Sequence, residues 1–353
     1  MTRASFAARL VRWQRTHGRH DLPWQGTRDA YRIWLSEIML QQTQVSTVLG
    51  YYARFLERFP NVQALAEASE DDVLAHWAGL GYYSRARNLH RAAQRVMAEH
   101  GGRFPTDAAT LATLPGVGPS TAAAVAVFAA GERAAILDGN VKRVLARHAG
   151  IEGYPGQAAV ARTLWALAEA RLPASKSELP AYTQGLMDLG ATVCTPRSPS
   201  CARCPVAEDC AARSTGRTAS LPTPRPRRVQ PERSQHFLLA LAGRDVLLVK
   251  RPSTGVWGGL WCLPEIDGID RALPEAQRHG RPIEPAVMRL TPIPHTFTHF
   301  RLVVMPVCVR LRCPKRLPPG ALWLPLCEAR TAAVPAPIRR LLAKLAEDSS
   351  FEQ

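Results

Sequence analysis

The chain has 353 residues, which is too long for one typical hydrophobic core and suits two domains. Hydrophobic residues make up 46% and charged residues 21%, a globular composition that disfavours a disordered chain. The formal net charge is +16, an excess that indicates a polyanionic partner. No basic amphipathic helix with a Trp/Phe/Leu face stands out, so a nucleic acid is favoured over a membrane surface.

The N-terminal segment contains Arg3, Arg9 and Arg12 and lacks the apolar run of a signal peptide. Residues 108–131 carry no charge, but their continuous apolar part, Ala122–Ala130, is far shorter than the roughly 20 residues of a membrane span. We therefore expect no membrane partner and a cytoplasmic location.

Helical patterns run from Tyr31 to about Gly190, with capping residues at helix starts and glycines after helix ends. Ser69–Ala78 and Asn88–Glu99 are two such predicted helices. Strand-like runs occur only after residue 230. The sequence therefore predicts an all-α region over residues 1–212.

The first candidate catalytic residue is Glu37, within the predicted helix Ile33–Leu40. Helical spacing surrounds it with Ile33, Trp34 and Leu40, and desolvation on such a face raises a carboxyl pKa. A carboxylic acid that is protonated near pH 7 can act as a general acid. The alternative is a solvent-facing glutamate, which the amide-rich neighbours Gln41 and Gln42 disfavour.

A glycine-rich turn, LPGVGPSTA, spans residues 114–122 between two helical segments. Gly116 and Gly118 permit close approach to the backbone, and the following helix offers free amides at its positive end. This arrangement predicts phosphate binding without sequence readout. An ordinary corner between two helices is the alternative.

Asp138 is the second candidate catalytic residue, in ILDGNVKR at positions 136–143. Aspartate is a good N-cap, which gives it a purely structural interpretation. Paired with Glu37, it would instead supply the ionised carboxylate of a sugar–leaving-group cleavage, stabilising an oxocarbenium-like sugar. Spacing alone does not bring the two carboxylates together.

Four cysteines follow with the spacing C-x6-C-x2-C-x5-C. They are Cys194, Cys201, Cys204 and Cys210. Without a secretory signal, clustered cysteines indicate a metal centre rather than disulfides. A zinc site is one candidate, although zinc ribbons usually pair two tight knuckles and this segment has only one.

A Pro-rich segment with several arginines, residues 213–233, separates the helical region from the rest. Closely spaced prolines favour an extended chain, so we predict a basic interdomain linker. Gln235–Ala242 and Asp245–Arg251 then predict a hairpin, Arg301–Arg312 another strand, and Ile338–Ala346 a final helix. Residues 234–353 are therefore predicted to form an α+β domain built on antiparallel strands.

Together, SEIMLQQTQV, GLGYYSRARNLH, LPGVGPSTA, ILDGNVKRVLAR, MDLGA and the cysteine spacing resemble MutY-type adenine DNA glycosylases of the endonuclease III, or helix-hairpin-helix, superfamily. The resemblance covers nearly the whole chain in the same order. It implies a helix-hairpin-helix glycosylase region with a [4Fe–4S] loop, followed by a MutT-like (Nudix-fold) domain. It also implies removal of adenine opposite 8-oxoguanine or G in double-stranded DNA by a nucleoid-associated monomer.

The resemblance also assigns roles to single residues. Glu37 would protonate the flipped adenine at N7, Asp138 would stabilise the sugar cation, and Asn140 would position substrate or water. Gln42 and Tyr82 would fill or wedge the base stack. The full set of implied DNA contacts is Gln41, Gln42, Tyr82, Gly116, Val117, Gly118, Ser120 and Lys142.

The C-terminal part resembles the family's MutT-like domain around residues 256–264, but the REx2EE pattern of the Nudix hydrolases does not follow. Phe297, Thr298 and His299 match the family's Phe-Ser-His loop, with Thr298 in place of serine, and imply contact with 8-oxoguanine.

Two alternative functions stay open. One is a bifunctional endonuclease III-type glycosylase and lyase, disfavoured because Ser120 occupies the place of the Schiff-base lysine. The other is a non-enzymatic iron–sulfur DNA-damage sensor, disfavoured by the presence of both carboxylates.

Overall fold

The protein is described by a computed structural model over residues 4–226, 229–312, 314–329 and 332–347. The chain divides into two compact units. The first comprises Met1–Glu67 and Asn88–Arg227, and the second comprises Ala68–Arg87 and Arg228–Gln353. Two arginines of the predicted linker, at positions 227 and 228, lie outside the described residues.

Between residues 4 and 214, the regular structure is helical. The helices are α1 (Phe6–His17), α2 (Ala30–Leu40), α3 (Val45–Arg58), α4 (Val62–Glu67), α5 (Glu70–Trp77), α6 (Ser84–His100), α7 (Ala108–Leu111), α8 (Pro119–Ala130), α9 (Gly139–Ala149), α10 (Ala158–Ala170), α11 (Leu179–Asp188) and α12 (Ala211–Ser214). A π-helical turn, Leu189–Val193, continues α11, and 3-10 turns lie at Lys176–Glu178 and Cys201–Arg203. The predictions of an all-α region and of helices corresponding to α5 and α6 are confirmed.

Helix α8 lies in the core of the first unit, and its residues 122–127 are all buried. Its alanines permit close helix packing, and the core continues through α1, α9 and α11. The burial of residues 122–127 explains why this part of α8 carries no charge. No helix among the described ranges combines the length and the apolar character that a bilayer crossing requires.

The second unit is built around a sheet. Its strands are β1 (Glu232–Ala242), β2 (Asp245–Lys250), β3 (Trp261–Cys262), β4 (Glu265–Ile266), β5 (Arg281–Pro282), β6 (Met288–Arg289), β7 (Ile293–Thr296), β8 (Arg301–Arg312) and β9 (Ala321–Pro325). Helices α13 (Ala272–His279), α14 (Leu326–Ala329) and α15 (Ala336–Glu347) accompany it, with a 3-10 turn at Ile269–Arg271. The predicted hairpin is β1–β2, and the predicted final helix is α15.

The predicted α+β domain is confirmed, but its sheet is mixed, whereas the sequence predicted antiparallel strands. β1 and β8 pair in parallel over ten positions, from Glu232 opposite Arg301 to Leu241 opposite Arg310. The neighbouring pairs β1–β2, β2–β9 and β7–β8 are antiparallel, so the sheet is mixed. Alternation along a strand reports which face is buried, and it carries no information on the direction of the neighbouring strand.

The first part of the predicted linker packs on the helical unit. Leu221 is buried, and its carbonyl accepts a hydrogen bond of 2.7 Å from Arg147 Nε. Thr223 Oγ1 accepts a hydrogen bond of 3.0 Å from the backbone of Gly153. The chain therefore stays attached to the first unit well beyond the cysteine segment.

Candidate active site and cysteine pocket

A cavity of about 960 Å³ opens in the first unit, lined by residues of α2, α9 and α11 and by the segment before α2. Glu37, Asp138 and Asn140 all lie in its wall. The structure therefore brings together the three residues that the sequence could only propose as partners.

Glu37 reaches this cavity from a largely apolar helix. Asp29 caps the start of α2 and accepts a hydrogen bond of 2.9 Å from the backbone of Tyr31. The preceding turn buries Ile33 and Trp34, as the sequence pattern predicted. Removal from water, together with the nearby charge of Asp138, raises the pKa of Glu37 to about 8. Most of the Glu37 carboxyls therefore carry a proton at pH 7.

Asp138 has both of the roles that the sequence left open. It is the N-cap of α9, where Oδ1 accepts a hydrogen bond of 2.7 Å from Val141 N, and it also lines the cavity. Burial raises its pKa, while hydrogen bonds from the backbone of Val141 and Asn140 and the charge of Arg143 oppose that rise. Because the charge of Asp138 contributes to the raised pKa of Glu37, Asp138 loses its proton first.

Helix α9 connects the cavity to the cysteine segment through Arg143. Its Nη2 donates to Asn140 Oδ1 at 2.7 Å and to the Gly190 carbonyl at 2.7 Å, and its Nε donates to the Cys194 carbonyl at 2.8 Å. Asn140 itself packs against Gly190, where a Cβ atom would lie only 2.6 Å from Asn140 Cβ. One guanidinium thus fixes a cavity residue and the first cysteine together.

A buried acidic residue, Asp188, holds two residues of the cavity wall, a role that the sequence had not indicated. Asp188 is buried and accepts hydrogen bonds from Arg19 Nε (2.7 Å) and Gln184 Nε2 (2.8 Å). Arg19, Gln184 and Trp24 line the cavity. The signal available in the sequence was an aspartate within the apolar MDLGA motif, because a buried charge requires partners.

The glycine-rich turn leads directly into α8, and its binding of a phosphate stays a prediction. Gly116 has a φ of 76°, and a Cβ there would come within 2.7 Å of Asn88 Cβ. Gly118 caps α8 without a side-chain hydrogen bond, and Val117 is buried. Ser120 turns inward, where its Oγ accepts a hydrogen bond of 2.9 Å from Leu137 N.

The remaining proposed contacts of the first unit lie near α2 and α9. Gln41 Nε2 is 3.5 Å from Thr121 Oγ1, and Gln42 is exposed with a φ of 56°. A non-glycine residue in this left-handed region is uncommon and often marks a functional turn. Lys142, on the first turn of α9, is half-buried. DNA contact by all of these residues stays a prediction.

The second unit carries the other predicted contacts. Phe297, Thr298 and His299 form the turn between β7 and β8, called here the 297–299 turn. Phe297 stacks on Phe300 with ring centroids 4.6 Å apart, while Thr298 and His299 are exposed. Tyr82, also in this unit, is 46% exposed, and its hydroxyl lies 3.5 Å from Thr298 Oγ1.

The four cysteines line a single small pocket beside the core of the first unit. Burial and the charges of the other three thiolates raise the pKa of Cys204 to about 11, so the bare thiolates are unfavourable there. Arg147 is buried and places Nη1 3.4 Å from Cys194 Sγ.

This donor set fits an iron–sulfur cluster. A [4Fe–4S] cluster takes one thiolate at each of four irons, and the four cysteines that line this pocket can supply them. Positively charged irons would compensate the charges of these half-buried thiolates. A bound cluster would cross-link the loop and supply one-electron redox capacity.

Three family models match the chain. Residues 35–170 match the HhH-GPD superfamily base excision DNA repair protein, 194–210 the iron–sulfur binding domain of endonuclease III, and 236–344 the NUDIX domain. The adenine DNA glycosylase of Buchnera aphidicola (subspecies Schizaphis graminum) is 32% identical over 345 residues, which cover 97% of this chain and 99% of that protein. The chain belongs to the adenine DNA glycosylase family. The adenine DNA glycosylase of Homo sapiens is 35% identical, covering 96% of this chain and 73% of that protein.

Solved structures agree with the fold of the helical part of this glycosylase. A thermostable thymine-DNA glycosylase has a TM-score of 0.54 at 32% identity, covering 60% of this chain and 95% of that chain. A non-covalent endonuclease III–DNA complex has a TM-score of 0.50 at 21% identity, with 60% and 94% covered, and this likeness shows the fold alone.

The predicted family, fold class and cofactor are confirmed. This glycosylase is an N-glycosyl hydrolase of base excision repair, it acts on DNA, and it carries a [4Fe–4S] cluster. The non-enzymatic alternative is not supported.

The cysteine pocket predicts iron in the purified protein. Anaerobically purified protein should be brown, absorb broadly near ~400 nm and contain iron rather than zinc. Elemental analysis and an absorption spectrum of the wild-type protein and of a Cys204→Ser variant check this. Stoichiometric zinc in a colourless, active protein would contradict the assignment.

The close packing of Gly190 against Asn140 predicts that a larger residue at position 190 lowers both stability and activity. In Gly190→Ala the new methyl group must displace Asn140, so we expect a loss of stability of about 1–3 kcal/mol and slower base release. Gly50→Ala in α3 is the matched control, because a Cβ there meets nothing within 4 Å. Thermal unfolding and single-turnover rates of both variants test this; equal effects at the two positions would show that Asn140 is not held by close packing.

Proposed function

We propose that this glycosylase removes adenine paired with 8-oxoguanine or G, as a monofunctional and monomeric enzyme that flips the adenine out of the duplex. The observation that carries the proposal is the convergence of Glu37 and Asp138 on one cavity, with the pKa of Glu37 raised to about 8. The cavity has ample volume for a nucleobase. Flipping costs a few kcal/mol and costs least for a mispaired base, which favours the mispair.

Within the cavity, Glu37 donates its proton to adenine N7, which turns the base into a neutral leaving group. Asp138, ionised and held by the amides at the start of α9, stabilises the positive charge that develops on the sugar. Asn140 orients the sugar or the attacking water, and Arg143 fixes Asn140 in turn. Trp24 and Gln184 complete the wall that contacts the flipped base.

Water is the proposed nucleophile, since no amine stands where a lyase carries its lysine. The bond from the sugar carbon to adenine breaks, the water oxygen bonds to that carbon, and the proton that the water loses passes to the ionised Glu37. Ser120 occupies the place of the lyase lysine, and its hydroxyl is engaged with the backbone of Leu137. A serine cannot form the imine on which β-elimination depends. We therefore expect an abasic site and an intact strand as the product.

Recognition of the base opposite adenine is proposed for the 297–299 turn. Thr298 and His299 are exposed there, and Thr298 retains the hydroxyl of the family's serine. In the same unit, Glu265 pairs with Arg251 at 2.7 Å, and Glu275 pairs with Arg278 and His279. These carboxylates are engaged with basic side chains, which supports recognition rather than Nudix hydrolysis as the role of this unit.

The net charge of +16 supports a broad phosphate-binding surface. Each neutralised phosphate releases counterions, so binding should weaken with salt at a slope near −0.9 per contact. With chromosomal DNA as its substrate, the enzyme is expected to act in the cytoplasm, at the nucleoid.

Glu37→Gln tests the acid role under single-turnover conditions on A:8-oxoguanine duplexes. Because the variant lacks the proton donor, the rate of adenine release should fall by ~10²- to 10⁴-fold while DNA binding is retained. Glu57→Gln, an exposed glutamate on α3, is the matched control and should be active.

Three results of the same assay would count against the proposal. A fully active Glu37→Gln variant would remove Glu37 from the acid role. Strand nicking without alkali by the wild type would indicate a lyase. Thymine release from T:G in place of adenine release would indicate a substrate like that of the thymine-DNA glycosylase.

A further inference from the structure

Residues 68–87 comprise α5, the turn that carries Tyr82, and the start of α6. In the sequence they separate the two parts of the first unit, yet they pack as part of the second unit. Asp71, at the start of α5, contacts two residues of the sheet. Its Oδ2 accepts a hydrogen bond of 3.3 Å from Trp261 Nε1 on β3, and its carboxylate pairs with Lys250 on β2. The start of α5 is therefore tied to the edge of the sheet.

A second tie lies at the other end of the segment. Arg87 donates from Nη1 to the Gly258 carbonyl in the loop before β3. The same loop also lies close to the start of α5: a Cβ atom at Gly259 would be only 3.1 Å from Glu70 Oε1. The segment is thus attached to the second unit at both ends, with the Tyr82 turn between the two attachments.

The contacts continue from that loop to the 297–299 turn and back. Trp257, next to Gly258, has its ring centroid 5.8 Å from that of Phe297. Thr298 follows Phe297 and lies 3.5 Å from the Tyr82 hydroxyl. Contacts therefore run from Arg87 through the loop of Trp257 to the 297–299 turn, and from there to Tyr82. Because Tyr82 and Arg87 belong to the same segment, these contacts form a closed path.

Two residues on this closed path have unfavourable backbone conformations. Tyr82 has a φ of 49° and Trp257 a φ of 56°, both in the left-handed region that bulky side chains avoid. Such conformations persist where surrounding contacts over-determine them, and they concentrate at functional sites. The Tyr82 ring is nevertheless 46% exposed, so the contacts fix its backbone and leave its ring available.

We infer that Asp71 and Arg87 are positioning residues that hold the Tyr82 turn in the unit that carries the 297–299 turn. Reading of the base opposite adenine and insertion of Tyr82 into the DNA stack are then one coupled event. This inference rests on the proposed function, because it specifies how the mispair is recognised. Neither residue touches the reacting atoms.

The test compares two variants with one control. Asp71→Ala removes both contacts with the sheet. Trp261→Phe removes the indole N–H donor while keeping an aromatic ring for Lys250, whose Nζ lies 5.1 Å from the Trp261 ring centroid. Asp267→Ala, another exposed aspartate of the same unit, is the control. Single-turnover adenine release is measured on A:8-oxoguanine and A:G duplexes, and melting temperatures are recorded alongside.

We expect Asp71→Ala to lower the ratio of the two rates about tenfold, equivalent to about 1.4 kcal/mol, and Trp261→Phe to lower it about threefold. The control should keep the wild-type ratio. In a Tyr82→Ala background, Asp71→Ala should cause no further loss, because contacts that act through Tyr82 are not additive with its removal.

An unchanged ratio in both Asp71→Ala and Trp261→Phe would overturn the inference. The inference would also be overturned if Asp71→Ala lowered the rate ratio in the Tyr82→Ala background by the same factor as in the wild type. Asp71 would then act independently of Tyr82. If Asp71→Ala does not fold, Trp261→Phe decides the matter. Failure of the proposed function differs from all of these outcomes, because the wild type would then release no adenine from either duplex.

Discussion

The chemistry proposed for this glycosylase depends on keeping the carboxyl of Glu37 out of water while a second carboxylate lies in the same cavity. An exposed glutamate would be ionised at neutral pH and could not donate a proton. The buried residues Ile33 and Trp34 and the charge of Asp138 act on the Glu37 pKa in the same direction. Burial also raises the pKa of Asp138, but the backbone amides of Val141 and Asn140 donate to its carboxylate and oppose that rise. The two carboxylates thus acquire different protonation states from different surroundings.

Helix α9 links this arrangement to the iron–sulfur segment. Its first residues meet the cavity, Arg143 joins Asn140 to the backbone of Gly190 and Cys194, and Arg147 one turn later reaches the Cys194 sulfur and the carbonyl of Leu221. Arg143 and Arg147 thus donate hydrogen bonds to backbone carbonyls of the cysteine segment and the chain after it, carbonyls that would otherwise need water as a partner. A cluster that orders this loop would thereby help to fix the residues that face the substrate.

The sequence predicted much of this because the relevant signals are local. The helical face around Glu37, the N-cap at Asp138 and the cysteine spacing can each be read within a short window. The contact of Asp188 with the cavity-lining Arg19 and the parallel pairing of β1 with β8 both join distant segments of the chain. Alternation and spacing do not encode such contacts. The packing of residues 68–87 with the second unit is of the same kind, since nothing within that segment indicates its partners.

The central claim is that Glu37 is protonated at neutral pH in the folded protein, and its carboxyl pKa can be measured directly. Infrared difference spectra, wild type minus Glu37→Gln, should show this carboxyl titrating near pH 8. In Asp138→Asn, which keeps a good N-cap residue, the pKa should fall because a neighbouring negative charge is gone. A carboxyl that titrates near its ordinary value of ~4.3 in both proteins would contradict the account.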